Sequence, residues 1–258
     1  FLDRRDVFLE SAARDGSPLY ILEEEVLLAR ADEIGEAFRA DLPDVRTYFA
    51  LKSNNHPLVA ATLVKAGLGL DVSSGVELEL ALSCGAQDIV FSGPGKTDTE
   101  LSLAVAHHDR VTVLMDSPLE MERLERIASA AGVTMRAGVR LTTDERGLWR
   151  KFGIPLAELP GFLHRAQKCR CVQLRGLQFH TSWNLTPAVN IGFIERLGAT
   201  LQSLDSSQLA MIEFVDIGGG FWPPYGEWLQ PAGTPEGQLK QAMGVAPEAP
   251  TQHHKLPA

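Results

Sequence analysis

The chain has 258 residues, 45% of them hydrophobic and 22% charged, the balance of a folded globular protein large enough for one sizeable domain or two small ones. Its formal charge of -9 and isoelectric point near 5.3 argue against a general nucleic-acid binder, which would carry a basic face. No apolar run approaches the roughly 20 residues that cross a bilayer, no secretory leader opens the sequence, and a start at Phe1 suggests a piece of a longer chain.

Pro18-Leu19-Tyr20-Ile21-Leu22 reads as a strand, followed by a Glu-rich amphipathic helix to about Ala40. From Arg46 onward, short apolar strands alternate with amphipathic helices. Tyr48–Lys52 precedes a helix starting near Pro57, whose Leu58, Val59, Leu63 and Ala66 share one face. Leu68–Ser73 precedes a helix over Gly75–Ser83, and Ile89–Ser92 one from about Asp98 to Ala106. Val111–Asp116 leads into Pro118–Ala131, with proline in the first turn and Gly132 at its end. Thr134–Leu141, a long connection and a helix over roughly Pro155–Gln167 follow, then Val172–His180, a helix from Pro187 to Leu204, and Glu213–Ile217.

This even alternation predicts seven βα-like units. It points to an α/β fold, a (β/α)8 barrel of the TIM type in preference to an open doubly wound sheet. No eighth strand is visible. After Phe221 a proline-crowded polar tail without periodicity reads as a long loop or disordered segment. The expected organisation is therefore 1–45 as a lead-in, 46–222 as the barrel and 223–258 as the tail. Cys84, Cys169 and Cys171 suit neither a disulfide framework nor a four-ligand zinc site, and read as reduced thiols of a cytoplasmic protein.

In such barrels the active site lies at the C-terminal ends of the strands. Lys52 ends the first strand, where partial desolvation would leave a neutral, nucleophilic amine of the Schiff-base kind; a strand-end lysine that simply reaches solvent is the plain alternative. Gly218-Gly219-Gly220 follow the seventh strand, where backbone N–H groups can face a phosphate unobstructed. His180 ends the sixth strand and suits either stacking on a flat ligand and proton transfer, or a core histidine bonded to a carbonyl. Asp71 and Arg140 would point charge at the mouth, as a rim ion pair or as part of the site. Ser92-Gly93-Pro94-Gly95-Lys96 is too short for a phosphate-cradling loop and reads as a turn. His107-His108 and His253-His254 read as solvated.

Six stretches together resemble the fold-type III pyridoxal-phosphate enzymes, the family of diaminopimelate, ornithine and arginine decarboxylases with the more distant alanine racemases. They are Tyr48-Phe49-Ala50-Leu51-Lys52-Ser53-Asn54, Leu70-Asp71-Val72-Ser73-Ser74, Phe91-Ser92-Gly93-Pro94-Gly95-Lys96-Thr97, Lys151-Phe152-Gly153, Gly176-Leu177-Gln178-Phe179-His180 and Asp216-Ile217-Gly218-Gly219-Gly220-Phe221. They occur in the family's order over residues 18 to 222, and the glycine triplet and Phe-His strand end favour the decarboxylase branch.

The resemblance implies pyridoxal 5'-phosphate as cofactor, with Lys52 as its Schiff-base lysine and His180 stacked on the pyridine ring. Gly218, Gly219 and Gly220 would hold the phosphate, and Asp71 and Arg140 would be charged neighbours. It implies a cytoplasmic homodimer decarboxylating a diamino or basic amino acid, diaminopimelate first, without nucleic-acid or membrane partners.

Two departures matter. Trp183 stands where the family usually has a phosphate-binding serine, with Ser182 one residue earlier. The family's Glu-Pro-Gly-Arg segment and C-terminal β domain are missing, so this fragment is expected to bind the cofactor poorly and not to turn over alone. Other readings at this stage are a non-catalytic pyridoxal-phosphate carrier, an amino-acid racemase, and an aldolase using Lys52 without cofactor.

Overall fold

The computed structural model describes residues 2–143, 148–181 and 187–220, together with Ala242. A 3-10 turn at Leu2–Arg4 leads into α1 (Arg5–Asp15), which buries no side chain, and α2 (Glu24–Arg39). The expected Glu-rich helix is thus present, but the strand expected over Pro18-Leu19-Tyr20-Ile21-Leu22 is not. That segment is irregular, with Tyr20 fully exposed. It is apolar enough for a strand, yet no described strand offers it a ladder of backbone partners.

From β1 (Tyr48–Ala50) the alternation holds. α3 (Pro57–Lys65), β2 (Gly69–Val72), α4 (Gly75–Ser83), β3 (Ile89–Phe91) and α5 (Asp98–Ala106) follow in order. Next come β4 (Val111–Met115), α6 (Pro118–Ala131), β5 (Met135–Leu141), α7 (Leu159–Ala166), β6 (Val172–Phe179), α8 (Ala188–Gln202), the single turn α9 (Ser206–Leu209) and β7 (Phe214–Asp216). The seven strands form one parallel sheet in sequence order, β1 and β7 at its edges. This is the expected α/β barrel lacking its last unit among the described residues. The proline-rich tail after Phe221 lies outside them.

Helix starts are written locally. His56, Ser74 and Ser117 each accept a backbone N–H in the first turn of the helix they cap, and Thr97 forms a reciprocal capping box with Glu100. These caps fix where each helix leaves the C-terminal end of its strand. The strands themselves are covered on both faces: β4 is buried at all five positions, and Ile89, Phe91, Val113, Val139, Leu177 and Phe179 are essentially sealed from water. One backbone approach is close enough to demand glycine. A Cβ on Gly93 would lie 1.9 Å from the Ser73 carbonyl oxygen, so the loop after β3 rests directly on the end of β2. Residues 92–96 are therefore a tightly packed turn, and Lys96 within them is buried.

Candidate functional site

The seven strands deliver their C-terminal ends to one mouth. Lys52 sits in a 3-10 turn, Leu51–Ser53, directly after β1; the wholly buried Leu51 anchors the turn and Ser53 Oγ donates to the Ala50 carbonyl at 2.7 Å. The Lys52 side chain is exposed, so the described residues do not supply the desolvation expected from sequence. What they supply is charge: Lys52 acts electrostatically on Asp71, His180 and Asp216, which places all four together.

Asp71 pairs in register with Ala50 on the neighbouring strand. Burial raises its carboxyl to about 6; a hydrogen bond from Ser92 and the Lys52 charge oppose the shift, while Asp216 and Glu77 add to it. Its Oδ1 is sealed from water without a hydrogen-bond partner. Arg140, Gln178 and Asp216 form a row across β5, β6 and β7. Arg140 is 8% exposed, and its guanidinium lies 4.5 Å from the centroid of the Phe152 ring. Burial lowers its pKa, and Asp116, Asp71 and Asp216 pull it back up. Gln178 is buried and its Oε1 also lacks a partner.

Asp216 is a site residue the sequence reading left out. It was legible only as the acid heading the glycine triplet. Burial pushes its carboxyl up, opposed by the Gly218 N–H, Arg140 and Lys52. That N–H donates to Asp216 Oδ1 at 2.7 Å, so the carboxylate shapes the turn. Gly218 has φ +69, and a Cβ there would lie 2.6 Å from the Phe179 carbonyl oxygen and 2.8 Å from His180 Nδ1.

His180 follows β6, and its Nδ1 accepts the Gly219 N–H at 3.2 Å. A nitrogen that accepts carries no proton, so the neutral ring bears its hydrogen on Nε2. Burial, then the charges of Lys52 and Arg140, lowers its pKa to about 4, so at neutral pH it is an uncharged flat ring. One partner of the ring is therefore a backbone N–H of the glycine turn, which neither alternative from sequence had named. Two of the triplet's N–H groups are already engaged, by Asp216 and His180, and an anion at the turn would compete with both. Among the described residues, nothing lies within 4 Å of where a Gly219 Cβ would stand, so they leave open space beside the turn.

The structure thus brings Lys52, Asp71, Arg140, His180 and the triplet to one mouth. Ser182, Trp183, His253 and His254 lie outside the described residues. His107 is half-buried, with Nδ1 2.9 Å from an Arg110 guanidinium nitrogen, so of that adjacent pair only His108 is exposed as expected.

A lysine, a neutral imidazole and a glycine turn thus stand together at the mouth of the barrel. Residues 29–238 match the family model "pyridoxal-dependent decarboxylase, pyridoxal binding domain", and the chain belongs to that family. It is 32% identical over 210 residues to an ornithine decarboxylase of Leishmania donovani, covering 79% of this chain and 29% of that protein. It is 29% identical over 229 residues to a diaminopimelate decarboxylase of Aquifex aeolicus, covering 84% and 53%. Among solved structures, the diaminopimelate decarboxylase of Helicobacter pylori complexed with L-lysine is similar with TM-score 0.76 at 22% identity, over 97% of this chain and 65% of that one. The chain therefore spans about half the length of the diaminopimelate decarboxylase it matches, and less than a third of the ornithine decarboxylase.

Proposed function

We propose that this chain is the cofactor-holding barrel of a pyridoxal-phosphate-dependent decarboxylase acting on a diamino or basic amino acid, diaminopimelate being the first candidate. The observation that carries the reading is the meeting of Lys52, Asp71, Arg140, His180 and Asp216 at the strand ends of a chain matched to a pyridoxal-binding domain. Diaminopimelate ranks first because the name diaminopimelate decarboxylase recurs among the similar curated proteins, beside an ornithine decarboxylase.

The donor set suits pyridoxal phosphate. An amine meets its aldehyde, a neutral flat ring offers a stacking face, and a glycine turn with open space beside it offers N–H groups to its phosphate. The orphaned Asp71 Oδ1 is a buried acceptor awaiting a donor. When bound, the cofactor supplies an electron sink for the carbanion left by loss of carbon dioxide. This chain's residues do the rest. Lys52 would attach the cofactor through Nζ, and its charge acts on Asp71 and Asp216 beside it. His180, kept neutral by burial and then by the charges of Lys52 and Arg140, gives an uncharged surface for a ring to lie on. Gly218, Gly219 and Gly220 form the phosphate cradle in this reading, in exchange for the contacts that Asp216 and His180 now make. Assembly as a homodimer and a cytoplasmic location belong to the same reading and rest on the resemblance; light scattering of the full-length protein tests the first.

The test of function is a visible spectrum of the full-length protein with pyridoxal phosphate, then borohydride reduction and peptide mass mapping. A visible band and a pyridoxyl mass on the Lys52 peptide are expected, followed by release of carbon dioxide from diaminopimelate, ornithine or arginine. A folded full-length protein that shows neither band nor label overturns the proposal.

A further inference from the structure

Lys96 is 2% exposed and Glu120 is 4% exposed, and their charged groups meet at 2.7 Å. An ion pair this far from water is rarely kept for stability alone, because apolar residues of similar volume usually serve as well. Its contacts run toward the mouth. Lys96 Nζ also donates to the Leu114 carbonyl of β4 at 2.7 Å and lies 5.1 Å from the Phe91 ring centroid. Glu120, in the first turn of α6, and Lys96 both act electrostatically on Asp116, and the Leu114 carbonyl that Lys96 holds lies two residues before it, so the pair bears on the residue that follows β4. Asp116 Oδ1 in turn accepts the N–H of Gly153 at 3.0 Å. The next residue, Ile154, donates its N–H to the Arg140 carbonyl at 2.9 Å, and the preceding Phe152 lays its ring on the Arg140 guanidinium. Arg140 then faces Asp71 and Asp216, the carboxylates beside Lys52.

We propose that Lys96, Glu120 and Asp116 are positioning residues, a buried chain of charges that pins the Phe152-Gly153 segment over Arg140 and so fixes the guanidinium at the cofactor mouth. The functional half of this inference rests on the pyridoxal-phosphate reading; the clamp itself does not. Lys96 acts on the mouth only through Asp116 and the Phe152-Gly153 segment.

The test uses the full-length protein, with three variants and two readouts. Asp116→Ala removes the acceptor, Asp116→Asn keeps an oxygen for Gly153, and Lys96→Met/Glu120→Met removes the ion pair without leaving a lone buried charge. Hydrogen exchange of the Gly153 and Ile154 amides in the cofactor-free protein reads the clamp. In Asp116→Ala it rises roughly tenfold, the loss of one hydrogen bond, while β5 and β6 keep wild-type protection. Fluorescence titration with pyridoxal phosphate reads the mouth, and the dissociation constant rises by a similar factor, roughly tenfold. Asp116→Asn restores most of both, and the double-methionine variant folds but loosens the same two amides. Wild-type exchange at Gly153 and Ile154 in Asp116→Ala overturns the clamp. Faster exchange with unchanged cofactor affinity overturns its service to the mouth. If the wild-type protein binds no pyridoxal phosphate, the functional reading has failed, while the exchange data still decide the clamp. If Asp116→Ala does not fold, the double-methionine variant alone decides by the same two readouts.

Discussion

Asp71→Asn in the cofactor-free full-length protein gives a stability change with a definite pH signature. Asp71 faces Lys52, Glu77, Ser92, Asp216 and Arg140, and its pKa rises from 3.8 to about 6 on folding. Folded protein therefore holds this proton more tightly than unfolded chain. The contribution is complete below the unfolded value of 3.8 and is lost as pH rises through about 6. At about 1.4 kcal/mol per tenfold in proton affinity, the loss comes to about 3 kcal/mol, and somewhat less where water enters the open mouth. Asparagine mimics the neutral acid and does not titrate. The stability of the variant minus that of wild type should thus climb by about 2 to 3 kcal/mol between pH 4 and pH 7. His180, which faces Lys52, Arg140 and the Gly219 N–H, works in the opposite direction. Its pKa falls from 6.5 to about 4, so its contribution is complete above 6.5 and is lost as pH falls toward about 4. His180→Asn should therefore gain on wild type as pH falls, by a similar amount. Urea unfolding at four pH values, read by near-ultraviolet circular dichroism, measures both differences. A difference for Asp71→Asn that stays within about 0.5 kcal/mol from pH 4 to pH 7 would refute the buried-carboxylate argument.

Other changes separate contact from charge. Gly93→Ala drives a methyl into the Ser73 carbonyl and should destabilise by more than about 3 kcal/mol, whereas Gly198→Ala, in α8 with nothing within 4 Å, should stabilise by about 0.5 to 1 kcal/mol; thermal unfolding compares them. Lys52→Ala removes a cation that both His180 and Asp71 feel, so both pKa values should rise, as carbon and nitrogen NMR titrations of the cofactor-free protein would record. Thr97→Ala breaks the capping box of α5 and should cost about 1 kcal/mol, with no effect on His180 titration.

Barrel strands such as β1, β3 and β4 were legible as short apolar runs, and the strand ends named most of the mouth residues. Local pattern misled where an element needed a neighbour. Leu19-Tyr20-Ile21-Leu22 carries strand chemistry but has no strand beside it among the described residues, and α1 buries nothing, so no apolar stripe announced it. Lys96 looked like one end of a turn because its partner is 24 residues away on another helix, a distance no periodicity encodes. Asp216 hid in plain view as the first letter of a glycine motif; its value comes from sharing a row with Arg140, which only sheet register creates. The exposure of Lys52 was likewise beyond sequence, since strand-end position fixes where a side chain emerges but not what covers it.

The order of the strands in the sheet carries a consequence for how this chain comes into being. Among the described residues, each strand bonds only to the strands made just before and just after it, from β1 to β7. No pairing waits for a distant segment, so as the chain emerges from the ribosome each new strand can dock on an edge already in place. The nascent sheet then presents a growing edge, and the glycine triplet, which follows β7, reaches a platform on which Lys52, Asp71, Arg140 and His180 already stand.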